Sequence, residues 1–284
     1  MSEAQWSEIE VASVKDKSRL ITLKSVQPLK ILNPACLTAA HAVLSGYGGG
    51  LVAGDKVNLS INVQESSRFL LTTQSNSRVF KSENGKAAEQ IIRGKVGKNG
   101  LAVFFPDPLI PHTKSIISQN QAWELEEGSV LLTVDWFSSG RAESGEQFSF
   151  TGYHSSIHIQ KNGIPFLVDN LSYAPEGNNP RSTGIFGRYN HFINGFLAGD
   201  ESGDAFQELS GFFHSLNTPA DSGHENYAKG QQDLICVADE IKPGLISFRA
   251  MGIRRLDLDP FIRRLAAHLA ADNLLGFDFY TRRF

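Results

Sequence analysis

Between residues 56 and 168 the chain repeats one device: a short run of β-forming residues, a turn signal, and another such run. Val57, Leu59, Ile61 and Val63 alternate with polar residues, the period of a half-buried strand. Phe69-Leu70-Leu71-Thr72-Thr73-Gln74 is apolar and β-branched throughout, as a fully covered strand is. Residues 88–96, 101–105, 116–117, 122–125, 130–137 and 148–159 continue the series. Lys161-Asn162-Gly163 is the clearest hairpin signal, with residues 164–171 as its return strand. So many short strands in succession constrain the chain to an all-β core.

The pattern changes near Ala174. Residues 185–197 read as one long strand, 233–239 and 245–251 as two more, and 218–230 as a polar loop. Phe206, Leu209, Phe213 and Leu216 fall on one face of a helix expected over residues 204–217, with Asp204 as its cap. A second helix is expected over 260–275. There Asp259 caps, Pro260 suits the first turn, Phe261, Leu265 and Leu269 make a stripe, and Gly276 lies past the end. The expected fold is therefore all-β dominated, a mainly antiparallel or β-helix-like stack with a few helices in the C-terminal part. Residues 1–17 are polar and read as a flexible N-terminus. Residues 18–284 read as a single domain with its β-rich core over 18–200.

Composition excludes several functions. With 284 residues, 41 % hydrophobic and 20 % charged, the chain can build a sizeable core. The net charge of −3, without a basic stretch, argues against nucleic acid or an anionic membrane as partner. The N-terminus has no apolar segment of secretory type and no run approaches spanning length. Cys36 and Cys236 are far apart and outside any C-x-x-C spacing, which suits a reducing cytoplasm and gives no zinc site.

Four stretches carry residues capable of chemistry. Gly48-Gly49-Gly50-Leu51-Val52-Ala53-Gly54-Asp55 imitates a phosphate loop, but Asp55 stands where a lysine is needed. A strand pattern also follows where a helix N-terminus should hold the anion. The stretch reads instead as a crowded β-connection with one carboxylate at its exit. Pro106-Asp107-Pro108-Leu109-Ile110-Pro111-His112 is a rigid loop whose Asp107 and His112 are candidates for an acid–base pair. No nucleophile in an elbow setting accompanies them. His154 and His158 share a strand face about 13 Å apart, too far to chelate one ion. Asp135, Arg141, Glu143 and Glu146 gather around a glycine turn and read mainly as surface electrostatics, with weak binding of a divalent cation by the carboxylates as the alternative. Phe186, Tyr189, Phe192 and Phe196 read as core. The residues alone leave a β protein without a convincing catalytic set.

The glycine stretch, followed by Leu70-Leu71-Thr72-Thr73-Gln74-Ser75-Asn76-Ser77-Arg78-Val79-Phe80, resembles the signature of the urease accessory protein UreD family, also called UreH. The Pro106–Pro111 loop, the Asp135-Trp136 to Phe148 block and Gly163-Ile164-Pro165-Phe166-Leu167-Val168-Asp169 follow in the family's order. Ala53 replaces a glycine that many members carry. The resemblance spans roughly residues 20 to 175. It implies a non-catalytic scaffold that binds UreF, reaches the GTPase UreG through it, docks on apo-urease and helps insert nickel. It is compatible with a homodimeric assembly within that complex, in the cytoplasm. It implies no permanently bound cofactor, only nickel in transit through an internal passage. Asp55, Ser77, Asp107 and Asp169 are the positions where that passage is expected to offer oxygen ligands, which release nickel more readily than imidazole or thiolate. Two other classes fit parts of the sequence: a hydrolase using Asp107 and His112, and a β-sandwich module binding carbohydrate through the aromatics.

Overall fold

The computed structural model describes residues 5–35, 38–216 and 233–281. Cys36 and the expected 218–230 loop lie outside them. Strands are laid down alternately in two facing sheets. The first sheet takes β1 (Ser7–Val14), β2 (Lys17–Lys24), β5 (Lys56–Val63), β8 (Ala88–Val96), β11 (Ile116–Leu125), β13 (Gly152–Lys161) and β14 (Ile164–Tyr173). The second takes β3 (Leu29–Leu32), β4 (Ala40–Gly46), β6 (Arg68–Thr73), β7 (Ser77–Val79), β9 (Leu101–Phe104), β10 (Leu109–Pro111) and β12 (Val130–Ser138). β15 (His191–Gly199), β16 (Leu234–Lys242) and β17 (Leu245–Gly252) complete it.

Each passage from one sheet to the other and back makes one coil. Successive coils stack, so β4, β6, β9 and β12 pair in parallel, as do β5, β8, β11 and β13. This is the expected β-helix-like stack. Antiparallel pairing is confined to the margins, as in the β13–β14 hairpin and the β15–β17–β16 run. The hairpin turns where its sequence says, with Asn162 and Gly163 both at positive φ.

Local patterns explain the layers. Val57, Leu59, Ile61 and Val63 are all buried against the second sheet, while Asn58, Ser60 and Asn62 face outward. β12 is buried at every position because it is covered twice, by the first sheet on one face and by helices on the other. Those helices are α1 (Asp204–Ser215) and α2 (Asp259–Leu269), whose Phe206, Leu209, Phe213, Phe261, Leu265 and Leu269 join Trp136 and Phe248 in one apolar cluster. Among the described residues, no helix is long and apolar enough to cross a membrane.

Four expectations need correction. Residues 7–14 are not frayed: β1 lies between β2 and β5, with Ile9 and Val11 buried, so the glutamates that made the segment look solvated occupy only its outer face. The long strand expected from residue 185 begins only at His191, because the chain before it closes on itself in turns such as Phe186 N–H to the Pro180 carbonyl. Asp204 and Asp259 do not cap. Each is the first helical residue, after Gly203 and Leu258. Asp259 instead accepts from Tyr280 and Arg255. α2 also stops at Leu269, short of residue 275.

Candidate functional site

Two apolar clusters fill the space between the sheets, and a polar seam separates them. The seam follows from register. Gln119 of β11 lies beside Gln90 of β8 and Ser155 of β13. Across the gap, Asp135 of β12 lies beside Asn194 of β15, which lies beside Arg249 of β17. Strand alternation that points Leu131 into the core points Thr133 and Asp135 the same way.

Asp135 is the centre of the seam and is almost wholly buried. Its Oδ1 accepts from the Tyr153 hydroxyl at 2.6 Å and from Gln119 Nε2 at 3.2 Å. Its Oδ2 is buried and accepts no hydrogen bond of ordinary geometry among the described residues, although the Ser155 side chain lies close enough to help hold the carboxylate. Burial raises the Asp135 pKa, the Tyr153, Ser155 and Gln119 groups beside it oppose that, and the Asp169 charge adds to it. Tyr153 is raised well above its ordinary value by burial and by Asp135, so the phenol keeps its proton. Beside this group, Thr133 Oγ1 and Trp123 Nε1 both donate to Gln121 Oε1, at 2.6 and 3.1 Å.

A cavity of about 30 Å³ borders Asp135, Gln119, Gln121, Thr73, Ser77 and Asp107, enough for a water-sized guest. A second cavity shares Thr73, Ser77 and Gln90 with it and reaches Gly49, Gly50 and Leu51. Beside Asn194, the strand neighbour of Asp135, a wider mouth is bordered by Asp169, Asn194, Phe186 and Arg249. Asn194 links the two sides of that mouth, donating to Asp169 Oδ2 at 2.9 Å and accepting from Arg249 at 3.3 Å.

Of the four expected positions, Ser77 and Asp107 border the first cavity and Asp169 borders the wider mouth. Ser77 is half-buried where the first two cavities meet. The Asp107 backbone N–H donates to Thr73 Oγ1 at 2.7 Å, and its Oδ2 accepts from that hydroxyl at 3.3 Å. Asp55 borders none of these three cavities. Its Oδ2 accepts from the Val52 N–H at 2.9 Å, which ties down the glycine turn. Asp135, read from the sequence mainly as one of a cluster of surface charges, is instead buried at the centre of the seam. The signal was a carboxylate inside the 130–137 run, which is apolar apart from Thr133. Arg141 pairs instead with Glu146, holding that carboxyl down at about 2.

Asp107 and His112 do not form a pair of their own. Asp107 belongs to Thr73, whereas His112 packs edge-on to Phe80 at 5.2 Å with Arg141, Glu146 and Arg78 around it. His154 and His158 are exposed on the outer face of β13. Among the described residues no three His, Cys, Asp or Glu side chains converge to hold a metal ion. Burial drives the Cys236 thiol up to about 12.

His191, at the start of β15, has its pKa driven down to about 4 by burial and by Arg255, against the opposing pull of Asp257. Its neutral form is favoured in the folded chain, so its contribution is intact above the ordinary value near 6.5. That contribution is lost as pH falls from there toward 4. Replacing His191 with Leu should shrink the stability gap between pH 7 and pH 4.5, measured by urea unfolding, by about 2 kcal/mol.

Stacked coils enclosing a polar seam with a buried carboxylate define a β-solenoid-like protein. The sequence as a whole places it among known proteins. The family model described as UreD urease accessory protein matches residues 5–284. The protein named urease accessory protein UreD from Cytophaga hutchinsonii is 36 % identical over 285 residues, covering 100 % of this chain and 99 % of its own. Urease accessory protein D from Oryza sativa subsp. indica is 31 % identical over 175 residues, 60 % of this chain and 57 % of its own. Its namesake from Arabidopsis thaliana is 32 % identical over 167 residues, 57 % of each chain. The chain belongs to the UreD urease accessory protein family, and its role lies in the maturation of urease.

Proposed function

We propose that the chain is a non-catalytic scaffold that passes nickel to apo-urease along the seam between its two sheets. The observation that carries this reading is Asp135 Oδ2, a buried carboxylate oxygen without a hydrogen bond of ordinary geometry among the described residues, bordering a small cavity. Leaving such a group unsatisfied is costly, so the small cavity beside it favours a guest that completes it, a water or a cation in passage. Ser77 and Asp107 serve that cavity and Asp169 the wider mouth. The donors along the seam are oxygens, which bind a divalent cation loosely, whereas imidazole or thiolate would retain nickel. Asp55 serves the path only by fixing the turn at its edge. The partners proposed are UreF, UreG recruited through UreF, and apo-urease, all in the cytoplasm.

The test is capture of co-expressed urease, UreF and UreG on the tagged chain, with and without added nickel. Retention of all three through washing is the expected result. A chain that purifies alone, soluble and active on a small substrate, would overturn the reading.

A further inference from the structure

Asp135 is held asymmetrically, and the asymmetry has a use. Tyr153 is fully buried and stacks on Phe137 with ring centroids 4.4 Å apart, so its hydroxyl has little freedom. That hydroxyl and the Gln119 amide both donate to Oδ1, and Gln119 Nε2 also lies 3.0 Å from the Tyr153 hydroxyl oxygen. The three side chains close a triangle around one carboxylate oxygen. The other oxygen is left buried beside the cavity, without a hydrogen bond of ordinary geometry among the described residues.

We propose that Tyr153 and Gln119 are positioning residues that occupy one oxygen of Asp135, so that a divalent cation in the seam meets a single open oxygen and leaves again. This rests on the passage reading above. A carboxylate with both oxygens free can grip a cation through two contacts, as in high-affinity calcium sites. One whose second oxygen already accepts two hydrogen bonds offers a single contact. Its charge is also shared with those donors. The clamp thus sets how long the cation stays, while Asp135 itself sets whether it enters.

The test compares Tyr153→Phe with the parent chain in its co-purified complex. Phenylalanine keeps the stacking on Phe137 and removes only the donor. Nickel(II) retained after equilibrium dialysis should rise by about tenfold in affinity, the size of effect one contact to a charged group has, and the nickel content of co-expressed urease should fall. Adding Asp135→Asn to Tyr153→Phe should abolish the extra retention, which a general loosening of the fold would not produce. If Tyr153→Phe does not accumulate, Gln119→Leu removes the other donor and is read in the same way. Retention at or below the parent level in the folded variant overturns the clamp. If Asp135→Asn nonetheless lowers urease nickel, the passage stands without it. Undiminished urease nickel in Asp135→Asn, with the complex intact, overturns both.

Discussion

Urease matured with an Asp135→Asn chain should carry about one tenth or less of its normal nickel, although the complex with its partners still forms. Asparagine matches aspartate in size and can still accept from Tyr153 and Gln119, so the surrounding packing is kept. What it removes is a buried group able to carry negative charge at the centre of the seam. A cation there has no bulk water to screen it, and each 1.4 kcal/mol of lost stabilisation is about tenfold in occupancy. Metal analysis of purified urease, alongside capture of the complex, measures both halves of the prediction. Asp55→Ala is the internal control. It loses one turn hydrogen bond worth about 1 kcal/mol but touches none of the three cavities, so nickel loading should stay near normal. Equal loading in Asp135→Asn and the parent would remove the basis for an internal path.

Gly50→Ala should destabilise the chain by about 3 kcal/mol. The reason is contact and not dihedral preference, since Gly50 is fully extended at φ 168. A Cβ there would lie 2.7 Å from the Arg78 carbonyl oxygen, 2.7 Å from the Phe80 ring and 2.9 Å from Arg78 Cβ. The carbonyl cannot retreat cheaply, because it accepts the Leu51 N–H at 2.8 Å while Leu51 accepts the Phe80 N–H at 2.8 Å. These bonds lock the glycine stretch onto β7, the strand that carries Ser77 to the meeting of the two cavities. Gly46→Ala makes the comparison clean. Gly46 has φ −97, and a Cβ added there would meet nothing within 4 Å, so its change should stay within about 0.5 kcal/mol. Denaturant unfolding of the two variants measures the difference, and equal midpoints would show that the glycine stretch tolerates bulk.

Much of the architecture was legible because it is written in local patterns. Alternation in residues 57–63, the Asn162-Gly163 turn and the helical spacing of Phe206, Leu209 and Phe213 each concern neighbours a few residues apart. Helix starts were less legible, because a carboxylate at a plausible cap position can take a distant partner, as Asp259 takes Tyr280. β1 was misjudged for a related reason. Its glutamates are polar on one face only, and burial of the other depends on β2 and β5 arriving beside it.

The site divides along the same line. Ser77, Asp107 and Asp169 could be singled out from ordered motifs, but motifs carry no distances. The sequence by itself determined that the chain is a stack of short strands with late helices, since strand period and turn chemistry are local properties. Only the tertiary structure decided that Asp55 faces a backbone amide while Asp135 faces the interior. Which way a carboxylate points, and what lies across from it, is set by the register of strands far apart in the chain. Gln119, Tyr153 and Asp135 meet because β11, β12 and β13 stack in successive coils.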